Sequence, residues 1–479
     1  MILPVVFSPS FAEEQKESIE RKELLSLDDF IVRAARNDTE FEAILINELK
    51  LRYQKDLKLP AGDLVLSLKQ EYNAFLSQNR EEPATEVSLS KLFPRVGTEV
   101  SAGYEVFSAF SSEESAGAVY LDIAQPIAKN AFGHSTRLQE RIIGLEVDIA
   151  SYQIIEAYED YLAAIITAYH NWHTAYENLI ISRSSYQENY KLLDNIKDRQ
   201  KKQVARRIDV NKISLQLLAK KERVVELEEE YKKRLHTIEK VIRHDDKSTL
   251  IPKTDYRSVE IESSFKEAFT TFVNQSRTFR ILNLLMKGSS LEVDKEADDL
   301  LPSINLVLGG DIKGDGYSLD ENENLLFAAV TIDWPFPNTV ERAEYEVSKI
   351  DYEKTELLKL NTSYRLYTDA KNLFEEMEKT RQLKVTAEEK IRLAQSILKD
   401  ETENYSFGKI SLNDYIYAVN TLDRDRYNKI LRDVRYRNLM TEWLRLTDSL
   451  VTENAGSALL EEIQEKGVQG IQREFIPGQ

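Results

Sequence analysis

Asp209 and Asp414 stand 205 residues apart. Each lies at the same distance beyond a residue that should end a helix, in Gln203-Val-Ala-Arg-Arg-Ile-Asp209 and in Gly408-Lys-Ile-Ser-Leu-Asn-Asp414. Carboxylates repeated in equivalent turns can be gathered by several copies of a chain into a ring that attracts cations. A local reading competes. Ser411-Leu-Asn-Asp414 has the spacing of a capping box, and an aspartate in the first turn of a helix gains about 0.3–1 kcal/mol from the helix dipole. The other candidates are thinner. His170 and His173 sit at i and i+3 of one run, but no third metal ligand accompanies them, so they read as part of a solvated helix face. Gly309-Gly310-Asp311 with Gly314-Asp315-Gly316 follows a strand and opens no helix, which argues against phosphate binding. Its acids, Asp311, Asp315, Asp320, Glu321 and Glu323, lack calcium-loop spacing, and the segment reads as a surface hairpin loop. No nucleophile, base and orienting group occur as a set, so neither an enzyme nor a cofactor is expected.

The elements that carry the two aspartates are long. From His134 to Gln200 the apolar positions Ile142, Leu145, Ile149, Tyr152, Ile155, Tyr161, Ile165, Tyr169, Trp172, Tyr176 and Leu179 keep a helical period without proline. At 1.5 Å per residue that run spans about 100 Å. The return arm, about 208–243, and a second pair, about 340–403 and 411–450, behave alike, and their stripes need partners along their whole length. Upstream landmarks recur in order as well: Leu59-Pro60 with Leu301-Pro302, and Gln125-Pro126-Ile127 with Trp334-Pro335-Phe336. From Pro126 to Asp209 is 83 residues and from Pro335 to Asp414 is 79, so the plan reads as a duplicated helical hairpin.

Between the helical runs the period changes to two. Residues 63–72, 98–107 and 118–123 alternate, as do 303–308 and 325–333, and Glu86-Val-Ser-Leu-Ser90 reads as a further short strand. Near the start, residues 27–57 read as two short helices broken at Asn37-Asp38. Strands of about ten residues with one apolar and one polar face suit a membrane barrel, which satisfies every backbone group without water. One chain supplies too few to close a barrel alone, so several chains would share it.

Composition sets bounds that agree. Of 479 residues only 16 are Gly and 11 Pro, while 30% are charged, which favours long helices over many compact loops. The net charge of −18 opposes nucleic-acid binding. With no cysteine there can be no disulfide, thiolate metal site or lipidated N-terminal cysteine. No apolar run reaches the length of a membrane-spanning helix, so a membrane role would rest on strands. Met1-Ile-Leu-Pro-Val-Val-Phe7 followed by Ser10-Phe11-Ala12 resembles a signal peptide lacking its basic start, over residues 1–12.

These residues resemble the TolC-like outer-membrane efflux protein family over roughly residues 24–451. Leu25-Ser-Leu-Asp-Asp-Phe-Ile-Val-Arg-Ala-Ala-Arg-Asn37 is similar to the family's opening helix. Gln125-Pro-Ile-Ala-Lys-Asn-Ala-Phe-Gly133 and Val330-Thr-Ile-Asp-Trp-Pro-Phe336 are similar to its strand-to-helix exits, and Tyr405-Ser-Phe-Gly408 through Asp414 to its periplasmic turn. The resemblance implies a mainly α fold with transmembrane β: a trimeric outer-membrane β-barrel of twelve strands, continued by a long periplasmic α-helical coiled-coil barrel. It implies two internal repeats, 24–243 (strands about 61–125, hairpin about 134–243) and 260–451 (strands about 303–333, hairpin about 340–450), then a tail over 452–479.

The function implied is the outer-membrane channel of a tripartite efflux or type I secretion system, a passive duct across periplasm and outer membrane. Its partners would be copies of itself as a homotrimer, outer-membrane lipid, a periplasmic adaptor and an inner-membrane pump. Asp209 and Asp414 become candidates for the periplasmic gate, and Gln203, Arg206, Arg207, Gly408, Lys409 and Ser411 for adaptor contact. The alternative is a soluble periplasmic coiled-coil scaffold or adaptor, which leaves the strands unexplained.

Departures from the family pattern are also visible. Gln203 stands where the family usually has glycine, so the first turn is expected to differ in shape. Tyr417 replaces a second acid found in some members one turn beyond Asp414, which counts against a double acidic constriction. Pro60 and Pro126 are 66 residues apart but Pro302 and Pro335 only 33, leaving extra residues around Ser77–Pro94 for a long loop or an added hairpin.

Overall fold

The structure, a computed structural model, describes residues 21–59, 62–75, 80–108, 115–244, 248–253, 264–315 and 321–453. The leader-like segment 1–12 and all of the tail beyond residue 453 lie outside the described residues. In chain order the elements are β1 (Arg21–Leu25), α1 (Leu27–Asn37), α2 (Thr39–Lys58), β2 (Leu64–Phe75), β3 (Arg80–Phe93), β4 (Thr98–Ser108) and β5 (Ser115–Pro126). Then come α3 (His134–Lys201), α4 (Arg207–Ile242), β6 (Ser248–Pro252), α5 (Phe265–Gln275), α6 (Arg277–Asp299), β7 (Ser303–Asp315), β8 (Glu321–Asp333), α7 (Thr339–Ser406), α8 (Leu412–Leu446) and α9 (Leu450–Glu453). Among the described residues no helix is long and apolar enough to cross a membrane.

Two compact units divide the chain, one of residues 47–154 and 277–365, the other of 1–46, 155–276 and 366–479. The first holds a six-stranded sheet in the order β2-β3-β4-β5-β7-β8, antiparallel at every step. β3 is 14 residues long, well beyond the expected Glu86–Ser90, and turns the extra stretch of the first half into a strand hairpin rather than a loop. The glycine-rich stretch expected as a surface loop is mostly strand, because β7 runs on to Asp315; residues 316–320, with Gly316 and Asp320, lie outside the described residues. Gly309 explains the misreading. A Cβ there would come within 2.1 Å of Asp122 Oδ1, so its glycine serves strand packing and not a turn.

At the base of this sheet the β3–β4 turn docks on the exit from β5 into α3. Gly97 and Gly133 both have positive φ, and a Cβ on Gly133 would meet the Arg95 carbonyl oxygen at 2.4 Å. Gln125 Nε2 donates to the Val96 carbonyl at 2.9 Å, Arg137 Nη1 to that of Arg95 at 2.8 Å, and Arg95 pairs with Glu140 at 3.0 Å. That guanidinium holds the Glu140 carboxyl below the usual range.

The second unit is helical. α1 begins at Ser26, whose hydroxyl accepts from the Asp29 N–H at 3.1 Å, and it buries Phe30, Ile31 and Ala34. Phe30 packs on Tyr169 of α3, and Phe41 of α2 packs between Tyr158 and Tyr161. A short parallel pair, β1 with β6, lies over this region, and the Tyr169 hydroxyl donates to the Leu25 carbonyl at 2.8 Å. Phe265 and Phe269 of α5 meet Tyr367 of α7, while Phe374 contacts Trp443 of α8. Lys220 of α4 and Ser185 of α3 both bond Asp423 of α8, the lysine at 2.7 Å, which ties three helices through one buried carboxylate.

Candidate functional site

The sheet has two unlike faces. Residues directly opposite across neighbouring strands share a face, so the register can be followed from edge to edge. One row runs Leu66, Leu89, Ala102, Leu121, Gly310, Leu326, and the next runs Leu64, Lys91, Val100, Ile123, Leu308, Ala328. On this face Leu66, Leu68, Val87, Leu89, Leu121, Ile123, Leu308, Leu326 and Val330 are exposed. The opposite face carries Lys69, Glu71, Glu86, Ser88, Ser101, Glu105, Tyr120, Asp122, Asp311 and Lys313. It is the less exposed of the two. The Tyr120 hydroxyl donates to Glu86 Oε1 at 2.6 Å, and Gly103 opposite Tyr120 leaves room for its ring. Exposed apolar surface of this extent needs a cover, and an alternating strand pattern with polar groups on the other side is what a bilayer and an aqueous lumen accept.

The two turns of the helical hairpins form the second site. Gln203 and Gly408 both take left-handed φ, +60° and +71°. Their backbones then follow the same hydrogen-bond pattern: Gln203 N–H donates to the Gln200 carbonyl and Val204 N–H to Arg199, as Gly408 does to Tyr405 and Lys409 to Asn404. The first turn therefore has the shape of the second, contrary to the expectation drawn from Gln203, and a side chain is held where glycine would be unstrained.

In both turns the aspartate caps its helix. Asp209 Oδ2 accepts from the Arg206 N–H at 3.0 Å, and Asp414 Oδ2 accepts from the Ser411 N–H at 3.2 Å and the Ser411 hydroxyl at 2.7 Å. In each case the partners reach only Oδ2. Gln203, Arg206, Arg207, Gly408, Lys409 and Ser411 are all exposed, and so are Val204, Ile208 and Phe407 beside them. These apolar neighbours carry no periodic signal, and sequence reasoning passed over them.

Leu193, Ile196, Ile213 and Leu412 join the two turns in one apolar cluster, and Lys212 Nζ donates to Asn413 Oδ1 at 3.1 Å. Tyr405 stacks on Tyr415 with centroids 5.4 Å apart, and the Arg199 guanidinium lies 4.9 Å above the Tyr405 ring. Burial raises the Tyr405 hydroxyl pKa, with Arg199 opposing and Asp209 adding to the rise. An open cleft of about 400 Å³ beside this pair is lined by Asn195, Arg199, Leu398, Thr402 and Tyr405.

His170 and His173 are buried, which corrects the solvated-face expectation. His170 Nδ1 lies 2.8 Å from Asn438 Oδ1, and burial pushes both imidazoles down to about 4, so they are neutral packing groups at physiological pH. No group of metal-ligating side chains occurs among the described residues.

No protein-family model matches the sequence, and no curated protein matches it. Solved structures do. The Campylobacter jejuni CmeC outer membrane channel superposes with a TM-score of 0.66 at 14% identity, over 93% of this chain and 90% of that one. The outer membrane protein VceC of Vibrio cholerae gives 0.69 at 10%, over 88% and 95%. The open state of the Neisseria gonorrhoeae MtrE outer membrane channel gives 0.66 at 14%, over 88% and 89%. The fold is that of the TolC-like outer-membrane channels. Against the resemblance, which implies twelve strands among three chains and hence four in each, this chain has six in one sheet among the described residues. The departure lies in the first half of the chain, where β2 and β3 are added beside β4 and β5.

Proposed function

We propose that this chain is the outer-membrane channel of an export system, a homotrimer whose sheets close one barrel in outer-membrane lipid and whose helices wall a periplasmic tunnel. The two-faced sheet carries the reading: a broad exposed apolar face opposite a charged one suits a membrane wall and suits no soluble scaffold. Its ends support assembly. Among the described residues β2 pairs only with β3 and β8 only with β7, and because six strands alternate in direction, the two free edges run antiparallel to each other. The free edge of one copy can therefore accept that of the next, and a ring of copies removes every edge.

The helices support two repeats, over 24–243 and 260–451. α3 and α7 are 68 residues each and begin and end at the same 205-residue spacing, as do the starts of α4 and α8. Cargo passes down a concentration gradient after an inner-membrane pump and a periplasmic adaptor deliver it. The adaptor meets the turns at Gln203, Arg206, Arg207, Gly408, Lys409 and Ser411, with Val204, Ile208 and Phe407 as apolar anchors. In a trimer six aspartates, Asp209 and Asp414 from each copy, ring the tunnel mouth. Capping engages Oδ2 alone, which leaves each carboxylate able to face the pore and favour cations.

Two measurements test this. The protein should be recovered from outer membranes only with detergent, and in planar bilayers it should form a cation-selective pore. A protein soluble in the periplasm contradicts the channel. A pore whose reversal potential is unchanged by Asp209→Asn with Asp414→Asn, while thermal stability drops, reduces the two residues to caps.

A further inference from the structure

The added strands β2 and β3 follow the pattern of the other four. In β2 the apolar face carries Leu64, Leu66 and Leu68 and the polar face Ser67, Lys69 and Glu71. In β3 the division is Val87 and Leu89 against Glu86, Ser88 and Ser90. Twelve paired positions join β2 to β3 and ten join β3 to β4, as many as join β4 to β5. The hairpin is also fixed at its base, where the β3–β4 turn packs against Gly133 and Arg95 pairs with Glu140. Lys91, on the apolar face, reaches over the Phe93 ring at 5.2 Å, as a lysine near a membrane interface does when its stem lies along apolar surface. Nothing in this pattern marks the hairpin as an appendage to the wall.

From this we infer that the β2–β3 hairpin is part of the barrel, that three copies of the six-stranded sheet close an eighteen-stranded wall, and that β2 supplies the seam with the next subunit's β8. The inference rests on the trimeric channel reading and specifies its pore. Barrel diameter grows roughly linearly with strand number, and at about 16–18 strands a barrel leaves an open aqueous channel. The lumen at the membrane is then about half again as wide as one of twelve strands, which admits bulky hydrated cargo such as a polypeptide segment. Transport is limited by the periplasmic turns and not by the barrel.

The natural absence of cysteine makes the seam directly testable. Single cysteines at Val65, Ser67 and Lys69 on β2, each combined with one at Phe327, Ala329 or Thr331 on β8, should yield intersubunit disulfides in membranes for the pairs in register. Electron cryomicroscopy in lipid nanodiscs should count eighteen strands. A further variant removes residues 63–93. Its ends already meet, since a Cβ on Gly62 would lie 3.4 Å from Pro94 Cδ, so the excision should leave a trimer that excludes smaller polymers from its outer mouth than the full chain does. A trimer with twelve wall strands and no β2–β8 disulfide overturns the inference and leaves the channel reading standing. A monomer, or a protein without a barrel, overturns the reading itself.

Discussion

α3 and α7 are equal in length and related by one spacing, yet their environments differ. Ile142 and Leu145 on α3 are 8% and 9% exposed, whereas Val347 and Ile350, 205 positions later on α7, are 54% and 62% exposed. The difference extends along both helices. α3 buries Tyr158, Tyr161, Tyr169 and Trp172 within its own chain, while α7 also exposes Leu357, Leu360, Tyr364, Val385 and Ile397. Two helices with the same apolar period therefore have unequal partners: one is covered by its own chain, and the other presents an exposed stripe, which the proposed trimer would cover with a further copy of this chain. Exposed apolar side chains at this density are costly in water, at about 25 cal/mol per Å² of surface, so the difference is a statement about assembly.

The comparison breaks most sharply under charge. Ile142→Asp should unfold the protomer, because an unpaired carboxylate would be buried at a cost of several kcal/mol. Val347→Asp with Ile350→Asp should leave the protomer folded, as judged by circular dichroism, and abolish the trimer. A second contrast lies in the return arms. Asp423→Ala should cost about 3–5 kcal/mol by stranding Lys220 and the Ser185 hydroxyl, whereas Leu218→Ala, 205 positions earlier and exposed, should cost less than about 1 kcal/mol in denaturant titration.

The third contrast appears with pH. His170 and His173 titrate at about 4 in the folded chain and near 6.5 when unfolded, so acid charges the unfolded state first. Their contribution is whole above pH 6.5 and is lost as the pH falls toward 4, by up to about 3 kcal/mol for each histidine. His170→Gln with His173→Gln should flatten the stability profile in that window. The smallest effect belongs to the turns: Gln203→Gly should raise stability by about 1 kcal/mol by removing left-handed strain, and Arg206→Ser should add a similar or smaller amount by supplying the cap hydroxyl that Ser411 provides in the other turn.

The helical hairpins were almost fully legible in the sequence, because a period sustained over 68 residues leaves few alternatives and the turns are marked by charge and spacing. Five of the six sheet strands were legible for the same reason at period two. β3 was underestimated because Pro83 and the acids beside it interrupt the alternation at one end. The glycines of β7 read as a loop, since only the packed sheet reveals Asp122 and the Phe327 ring occupying the space a side chain would fill. The β1–β6 pair left no usable signal, since its strands are five residues each and pair in parallel across more than two hundred residues. α5 and α6 were not foreseen, although Ser264-x-x-Glu267 has the spacing of a capping box at the start of α5. Burial of the two histidines was invisible because it depends on tertiary packing, in which His170 meets Asn438 of α8, 268 residues away. The environment of the aspartates was half legible: the Ser411 spacing marks the cap at Asp414, while the matching cap at Asp209 has no serine to announce it.

Assembly is thus the central claim, and mass in detergent tests it most directly. Light scattering or native mass spectrometry of the protein extracted from membranes should give three times the mass of one chain, and Val347→Asp with Ile350→Asp should reduce it to one. A wild-type protein that is monodisperse at the mass of a single chain would contradict the account.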